Sequence, residues 1–512
     1  MEKATLDSFI LAQLSAMCPA LPAKTTYRFR GQKICRKMFR ICNGISEKRL
    51  KSLLEHFRAF GIAPRVHGNS GRRPHNTTME GTVKDMLSFL DNYAITHGLH
   101  LPGRVAGIRN GRSVVLPANH TMTFVHKDYQ DSCLKYKKHM PILYQKFCDL
   151  WKTFRPYLVT ANPRSDLCFT CQENVNLIIK SSNEHIEKKS AALFEQEEHL
   201  THAREQRAYY KEKIELSKYT YHQIQPDLSF SQKLPNSVDV TSIYSFDYAQ
   251  QVSYPCNPEQ PGAIFFKVPR KCALFGICNE AINRQITYVI DESADCGKGA
   301  NGVISYLHHY LNTYGVGEKF LHLQADNCSG QNKNNIMVHY LLWRVSQGFH
   351  TKISLNFMLA GHTKFSPDRC FGLIKQNYQR NYVSSLYDVA DVINNSSDAT
   401  NIAQLAGLPS GAVLVPVYDW QNFFSKIYKK LPKILPYHHF RFDAEDTGSI
   451  FVKEFSGTAE IDVKVVKMSP AVGFPKQILP KGMSKERKQY LYKEIRPFCR
   501  PGTENLVAPN PT

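Results

Sequence analysis

Three aspartates set the chemistry to look for. Asp326 ends the alternating apolar run "FLHLQAD", after which the chain breaks at once into Asn327, Gln331, Asn332, Asn334 and Asn335 around Lys333. Alternation over Phe320 to Ala325 predicts a half-buried strand, and the Asn, Ser and Gly residues beyond it predict a turn. In open α/β sheets ligands bind outside the carboxyl ends of strands, which makes Asp326 a site candidate; the other reading of the same residue is a helix N-cap. Asp247 falls inside another predicted strand, on the face of Ile243 and Ser245 and flanked by Phe246 and Tyr248 of the opposite face. A carboxylate in a central strand is costly without a partner. Asp368 opens a predicted helix, with Ser366 as its N-cap and Pro367 at the first helical position. Three hard oxygen ligands at one point suit Mg²⁺ or Mn²⁺. Two such ions about 3.5 to 4 Å apart drive in-line attack at phosphorus, the requirement of phosphodiester cleavage and strand transfer.

A second constellation joins Cys168 and Cys171, the C-x2-C pair of "SDLCFTC", to His199 and His202 on a long charged helix. Two thiolates and two imidazoles complete a tetrahedral structural Zn²⁺ site, the histidines at i and i+3 sharing a helix face. His185 or a distant cysteine could supply a ligand instead. Cys328 has no Cys/His/Asn arrangement placed around it and is not read as a nucleophile.

The elements that must position these residues follow from periodicity. "TSIYSFDYAQQV", "AIFFKVPRKCALFGICNEA" and "RQITYVIDES" predict a three-stranded meander. A helix over "NGVISYLHHYLNTY", the Asp326 strand, a helix over "NNIMVHYLLWRVSQGF", a strand over "KISLNFMLAG" and the Asp368 helix follow. The expected fold class is therefore α/β, with the βββαβαβα order of a ribonuclease H-like mixed sheet. In that order the first and fourth strands are neighbours, so Asp247 and Asp326 converge and the last helix brings Asp368 to them. "FRFDAEDTGSIFVKEFSGTAEIDVKVVKM" predicts a small C-terminal β element.

Toward the N-terminus, residues 31–60 predict two helices flanking "NGIS". Ile34, Met38 and Ile41 are expected on one face of the first, and Leu50, Leu53, Leu54 and Phe57 on the second, with Ser46 as N-cap. The spacing is that of a helix-turn-helix, and Lys48, Arg49 and Lys51 fall in the first turns of the second helix, where a recognition helix meets a major groove. Such trihelical patterns also serve as plain packing modules. Arg72 and Arg73 lie in a Gly- and Pro-containing arm that could enter a minor groove or form a solvated loop. Residues 79–97 predict a further amphipathic helix with Met86, Phe89, Leu90 and Tyr93 on one face. In the charged helix from about 178 to 218, Ile186, Leu193, Leu200 and Ile214 recur at heptad spacing with Arg207 interrupting; a short coiled coil, a route to a homo-oligomer, and an antiparallel helical hairpin both fit.

Lys and Arg number 65 against 44 Asp and Glu, a net charge of +21 over 512 residues. An excess spread along the whole chain favours a polyanion such as double-stranded DNA, against the plainer reading of a soluble basic surface. No apolar run reaches membrane-spanning length and no signal peptide is evident, so no membrane partner is expected. The 14 cysteines are expected to be reduced thiols of a soluble intracellular protein.

The triad in this strand order resembles the DDE/D superfamily of transposases and retroviral-type integrases. More narrowly, "FDYAQQ", "ADNCSGQNKNN" and "GHTKFSPDRCFGLIK" resemble a poorly characterised group of eukaryotic transposon-derived proteins with a ribonuclease H-like domain. The close resemblance spans about residues 160–400. It implies that Asp247, Asp326 and Asp368 are the catalytic, metal-binding acids, the third being Asp where many relatives carry Glu. It places His362 beside them, where it could contact a phosphate, a core or surface histidine being the alternative. Gln331 and Lys333 could then reach a DNA backbone, while Asn332, Asn334 and Asn335 cap the following helix. A nuclear transposase-like protein is what the resemblance implies, or a descendant that keeps the fold and binds DNA or protein without catalysis. The expected organisation is a helix-turn-helix-like region over 1–110, a helical linker with the zinc clip over 111–235, a catalytic domain over 236–400 and a C-terminal region over 401–512.

Overall fold

Apolar alternation is deepest beyond residue 238, and there the chain builds its main sheet. The computed structural model describes residues 3–17, 25–65, 78–100, 114–136, 140–160, 168–180, 186–224, 233–398, 400–467 and 473–511. The fold is mixed α/β in two units, Met1–Tyr93 with His120–Pro156, and Ala94–Asn119 with Tyr157–Thr512. Among the described residues no helix is long and apolar enough to cross a membrane.

The first unit holds α1 (Lys3–Met17), the small hairpin β1 (Arg28–Phe29) and β2 (Gln32–Lys33), α2 (Arg36–Cys42), α3 (Glu47–Phe60) and most of α4 (Glu80–His97). Ile10, Leu11 and Leu14 of α1 share a core with Phe39, Leu50, Leu53 and Leu54. Ser46 caps α3 as expected, its Oγ accepting the Arg49 N–H at 3.2 Å. The expected inner face of the preceding helix is corrected. Met38 and Ile41 are exposed, Ile34 precedes the helix, and Phe39 is the buried residue. In so short a helix one large ring decides which side turns inward, and the Phe39 ring lies 5.1 Å from that of Tyr27.

The second unit contributes the small sheet β3 (Leu99–His100), β4 (Val114–Leu116) and β5 (Leu158–Thr160). Between β4 and β5 in sequence, α5 (Met122–Lys135) and α6 (Tyr144–Phe154) belong to the first unit. Two helices follow, α7 (Phe169–Lys180) and α8 (Ile186–Ile224). They lie against each other with Asn174 bonded to Gln196 and Cys168 beside His199, the antiparallel arrangement of a helical hairpin. The heptad stripe sets the inner face of α8 only in its later part: Leu193 is exposed, whereas Ile214 packs beside buried Tyr210, and Ser217 and Tyr221 are buried. Ser217 Oγ donates to Thr241 O at 2.8 Å, and Tyr221 OH lies 2.8 Å from Ser242 Oγ, so α8 is spent on the main sheet.

That sheet comprises β6 (Val238–Tyr248), β7 (Val252–Tyr254), β8 (Arg270–Asn279), β9 (Arg284–Asp291), β10 (Glu318–Ala325), β11 (Lys352–Phe357), β12 (Asn401–Leu405), β14 (His439–Asp443), β15 (Asp446–Lys453) and β16 (Ile461–Lys464). Its order is β12-β9-β8-β6-β10-β11-β14-β15-β16, with β7 also on β8. The pairs β9/β8 and β8/β6 are antiparallel, and β6/β10 and β10/β11 are parallel. A separate short pair joins β13 (Val417–Tyr418) to β17 (Gln477–Ile478).

Alternation sorts the two faces. Tyr244, Phe246, Phe275 and Ile277 share the large core with α10 (Ala300–Thr313) and α11 (Asn335–Ser346). Cys272 and Leu274 point the other way, toward Ile374 of α12 (Ser366–Tyr378), and Ile243 faces Tyr210 of α8 and Phe365. Side chains of β6 at 243, 245 and 247 therefore look toward α8 and α12.

Two expectations are corrected. The segment "AIFFKVPRK" does not begin a strand; Gly262–Phe265 is a short helix, α9, and Pro269, which lacks an N–H for a ladder, directly precedes β8. The C-terminal β element is not separate: β14 pairs antiparallel with β11, so the main sheet runs on past residue 400.

Candidate active site and metal centre

The register of β6 against β10 decides whether Asp247 and Asp326 meet. Ser245 stands opposite Gln324 in this parallel pair; Asp247 lies two residues on in β6, Asp326 directly follows β10, and the two are close enough for the charge of Asp326 to act on Asp247. On the other flank Gly276 of β8 stands opposite Asp247. A Cβ on Gly276 would come within 2.8 Å of the Phe371 ring and the Gln285 side chain, so glycine here lets α12 lie close on the sheet. Phe371 is one helical turn beyond Asp368.

The carboxylates act on one another. Burial pushes Asp247 up to about 7, the charge of Asp326 adds to it, the Tyr248 N–H that Asp247 accepts at 2.7 Å pulls it down, and the charge of Asp368 raises it further. Asp326 Oδ1 accepts from Asn332 Nδ2 at 2.5 Å and from the Cys328 N–H at 3.1 Å. Asp368 is exposed, and its Oδ2 accepts the Phe365 N–H at 3.0 Å. Phe365, not Ser366, is thus the N-cap residue of α12.

Ser366 instead donates to Glu280 at 2.5 Å, a residue sequence reading missed. Buried Glu280 also accepts from Tyr210 OH at 2.6 Å and from Ser245 Oγ. It ties α8, β6 and α12 together two residues before each of two acids. In the sequence it sits in a polar turn between strands and looks solvated; only the register turns it inward. Arg207 was also missed as a functional residue, although its break in the heptad stripe was the signal. It donates to His362 O at 2.9 Å and to Lys364 O, and it stands close enough to Asp368 to feel its charge.

The amide cluster divides its labour. Asn334 caps α11, accepting the Met337 N–H at 3.0 Å, Asn335 accepts from Leu431 N–H at 2.6 Å, and Asn332 holds Asp326. Lys333 is corrected as a backbone-reaching residue. It is 4 % exposed, donates to Asn327 Oδ1 at 3.2 Å and lies 5.3 Å over the Phe357 ring. The cause is local: Cys328 O accepts the N–H groups of Gln331, Asn332 and Lys333, a tight turn that directs Lys333 inward, where burial pulls its pKa down to about 8.

The second cluster contains Cys168, Cys171, His199 and His362, with ligand atoms all within 4.8 Å of one another. His362, which sequence reading set beside the acids, is here a candidate ligand, and His202 is not in the group. The His202 ring stacks on Phe455, centroids 4.0 Å apart and planes 12° apart. At about 100° per residue, three steps leave His202 some 60° off the line of His199, enough to turn it to a different neighbour. Burial holds both His199 and His362 below the usual imidazole range, in the neutral form that ligation needs.

In the first unit Lys48 and Lys51 are exposed on α3. Arg49 is not free for a groove: its guanidinium pairs with Asp7 of α1 at 2.7 Å and braces the two helices. Arg72 and Arg73 lie outside the described residues.

Residues 269–458 match the model of a family described as a domain of unknown function, DUF7869. The matched span begins after Asp247 and takes in Asp326, His362 and Asp368. No curated protein matches the chain.

Proposed function

We propose that this chain is a transposase-like, nuclear DNA-acting protein whose second unit cleaves and joins phosphodiesters with Mg²⁺ or Mn²⁺ at Asp247, Asp326 and Asp368. The observation that carries the reading is the parallel β6/β10 register, which ends two neighbouring strands in carboxylates. The strand order β9-β8-β6-β10-β11, with its two antiparallel and two parallel pairings, supports assignment to the ribonuclease H-like folds. Burial, with the charges of Asp326 and Asp368 added to it, holds Asp247 near 7, and such a clustered set of carboxylates fits a hard dication with oxygen ligands.

When bound, such ions polarise the phosphoryl group and neutralise charge on the attacking and leaving oxygens. The chain's own contribution is position. Asn332 fixes one oxygen of Asp326, Glu280 fixes the elements under Asp247 and Asp368, and Gly276 lets α12 approach. Activity is tested by nicking of supercoiled plasmid by the full chain in Mg²⁺ or Mn²⁺; no nicking of duplex, hairpin or single-stranded DNA in either metal removes the enzyme reading.

One observation favours a second reading, a domesticated DNA- or protein-binding factor without catalysis. Asp326 and Asp368 both accept backbone N–H groups at turns or helix starts, roles that would preserve them after chemistry was lost.

For DNA binding the helix-turn-helix-like reading of α2 and α3 narrows to Lys48 and Lys51. Replacing both with Ala is expected to weaken duplex binding and lower the log–log salt slope by about 2, since each phosphate contact contributes about 0.9. Binding measured across a salt series checks this; an unchanged slope would make α2 and α3 a packing module.

A further inference from the structure

The metal cluster does more than close a helical hairpin, because its fourth member comes from the loop that leads to the third acid. Cys168 and Cys171 flank the start of α7, His199 lies on α8, and His362 lies between β11 and α12, six residues before Asp368. Cys168 Sγ is 3.2 Å from His199 Nε2, Cys171 Sγ is 3.5 Å from His362 Nε2, and the two Nε2 atoms are 3.1 Å apart. With Zn–N near 2.05 Å and Zn–S near 2.3 Å, a tetrahedron has edges of about 3.3 Å between nitrogens and about 3.6 Å between nitrogen and sulfur. These three distances lie within about 0.4 Å of those edges, and all four ligand atoms lie within 4.8 Å of one another, so the group can close on one central ion.

The loop is shaped for this approach. Gly361 has φ +78°, and a Cβ there would lie 2.4 Å from Cys168 Cα and 2.6 Å from its Cβ. Only a glycine lets the loop press against the cysteine segment and present the next residue, His362, to it. Arg207, two turns along α8 from His199, grips the same loop through His362 O and Lys364 O.

We infer that Cys168, Cys171, His199 and His362 bind one Zn²⁺, and that this ion positions the loop carrying Asp368 by tying it to the α7–α8 hairpin. Binding converts both thiols to thiolates and releases two protons, leaving a neutral Zn(Cys)₂(His)₂ centre. The zinc part stands on the cluster alone; the positioning part rests on the proposed role of the acids. His362 is then a ligand and a positioning residue, and it does not touch substrate.

The test uses the full chain and three readouts. Zinc content by elemental analysis should be one per chain in the parent and in His202→Ala, and should be lost in Cys168→Ser and His362→Ala. The Co²⁺-substituted parent should show the intense visible bands of a tetrahedral thiolate site, and His362→Cys should keep the metal with shifted bands. Mn²⁺ affinity, measured by electron paramagnetic resonance of the free ion, reads the acids without requiring turnover. It should weaken about tenfold in His362→Ala, the scale of a lost supporting contact, and recover in His362→Cys. Zinc and cobalt bands retained in His362→Ala overturn the site. Zinc lost with Mn²⁺ affinity unchanged overturns the positioning role alone. A parent that binds no Mn²⁺ overturns the positioning role together with the nuclease reading, while zinc content still decides the site.

Discussion

Asp326→Asn is expected to lower Mg²⁺-dependent nicking by about 10³-fold or more while duplex binding stays the same or tightens slightly. The substitution is chosen for what it keeps. An asparagine Oδ1 can still accept from Asn332 Nδ2 and from the Cys328 N–H, the two bonds Asp326 makes now, so the turn into α11 retains its partners. What disappears is a negative charge and a hard ligand at the carboxyl end of β10. Metal stabilisation of transition-state charge is worth several kcal/mol, and about 4 kcal/mol corresponds to three decades of rate. Binding moves the other way because the removed charge repels phosphate. Plasmid nicking and duplex affinity, measured with a thermal melt on the same preparation, separate these effects. Wild-type nicking by this variant would show that Asp326 is a turn residue and nothing more. Asp326→Ala is the less informative change, because it also leaves Asn332, whose Oδ1 already lacks a partner among the described residues, without its acceptor.

How much of this was legible depended on the range of the forces involved. The order of the long strands and helices from β6 to α12 is readable because alternation and helical period are local signals, and strand order alone sets β6, which holds Asp247, beside β10, which Asp326 follows; the short α9 is not readable, lying in an apolar segment. Residues at which a side chain chooses between nearby partners were not readable. His202 and His199 offer the same chemistry on one helix, and the choice rests on Gly361 bringing His362 in from far along the chain. Lys333 carries a charge that sequence reasoning sends to solvent, yet three N–H groups gathered on one carbonyl turn it inward. Glu280 was invisible because its three hydroxyl partners, Tyr210, Ser245 and Ser366, come from three elements. In the sequence Arg207 is only a break in a heptad stripe. A charged residue that breaks an apolar stripe is better treated as a candidate tether to another element.

In Mg²⁺-free buffer the parent protein is expected to lose stability as the pH rises from about 4 toward about 7, and Asp247→Asn is expected to remove that loss. The sign follows from linkage. Burial, then the charge of Asp326 and, more weakly, that of Asp368, holds the folded Asp247 near 7, against about 3.9 in an unfolded chain. Between these values the folded state keeps a proton that the unfolded state gives up. The stabilising contribution is therefore complete below about 4 and gone above about 7. Three units at 1.36 kcal/mol each set a ceiling of about 4 kcal/mol, and partial access of the carboxylate to water makes about 2 to 4 kcal/mol the expected range. The substituted amide carries no proton to lose, so the variant should be more stable than the parent at pH 8 by that amount. Mg²⁺ should reverse the order, because an ion at the three acids binds the ionised form and offsets both the desolvation of Asp247 and the repulsion from its neighbours. The gain in melting temperature on adding Mg²⁺ should grow between pH 6 and pH 8 in the parent and be largely absent in Asp247→Asn. Urea titrations from pH 5 to pH 8, without chelator so that the cysteine cluster is undisturbed, measure both effects. If parent and variant share one pH profile, Asp247 is not held above the usual carboxylate range, and the argument from buried, clustered carboxylates to a shared metal site fails with it.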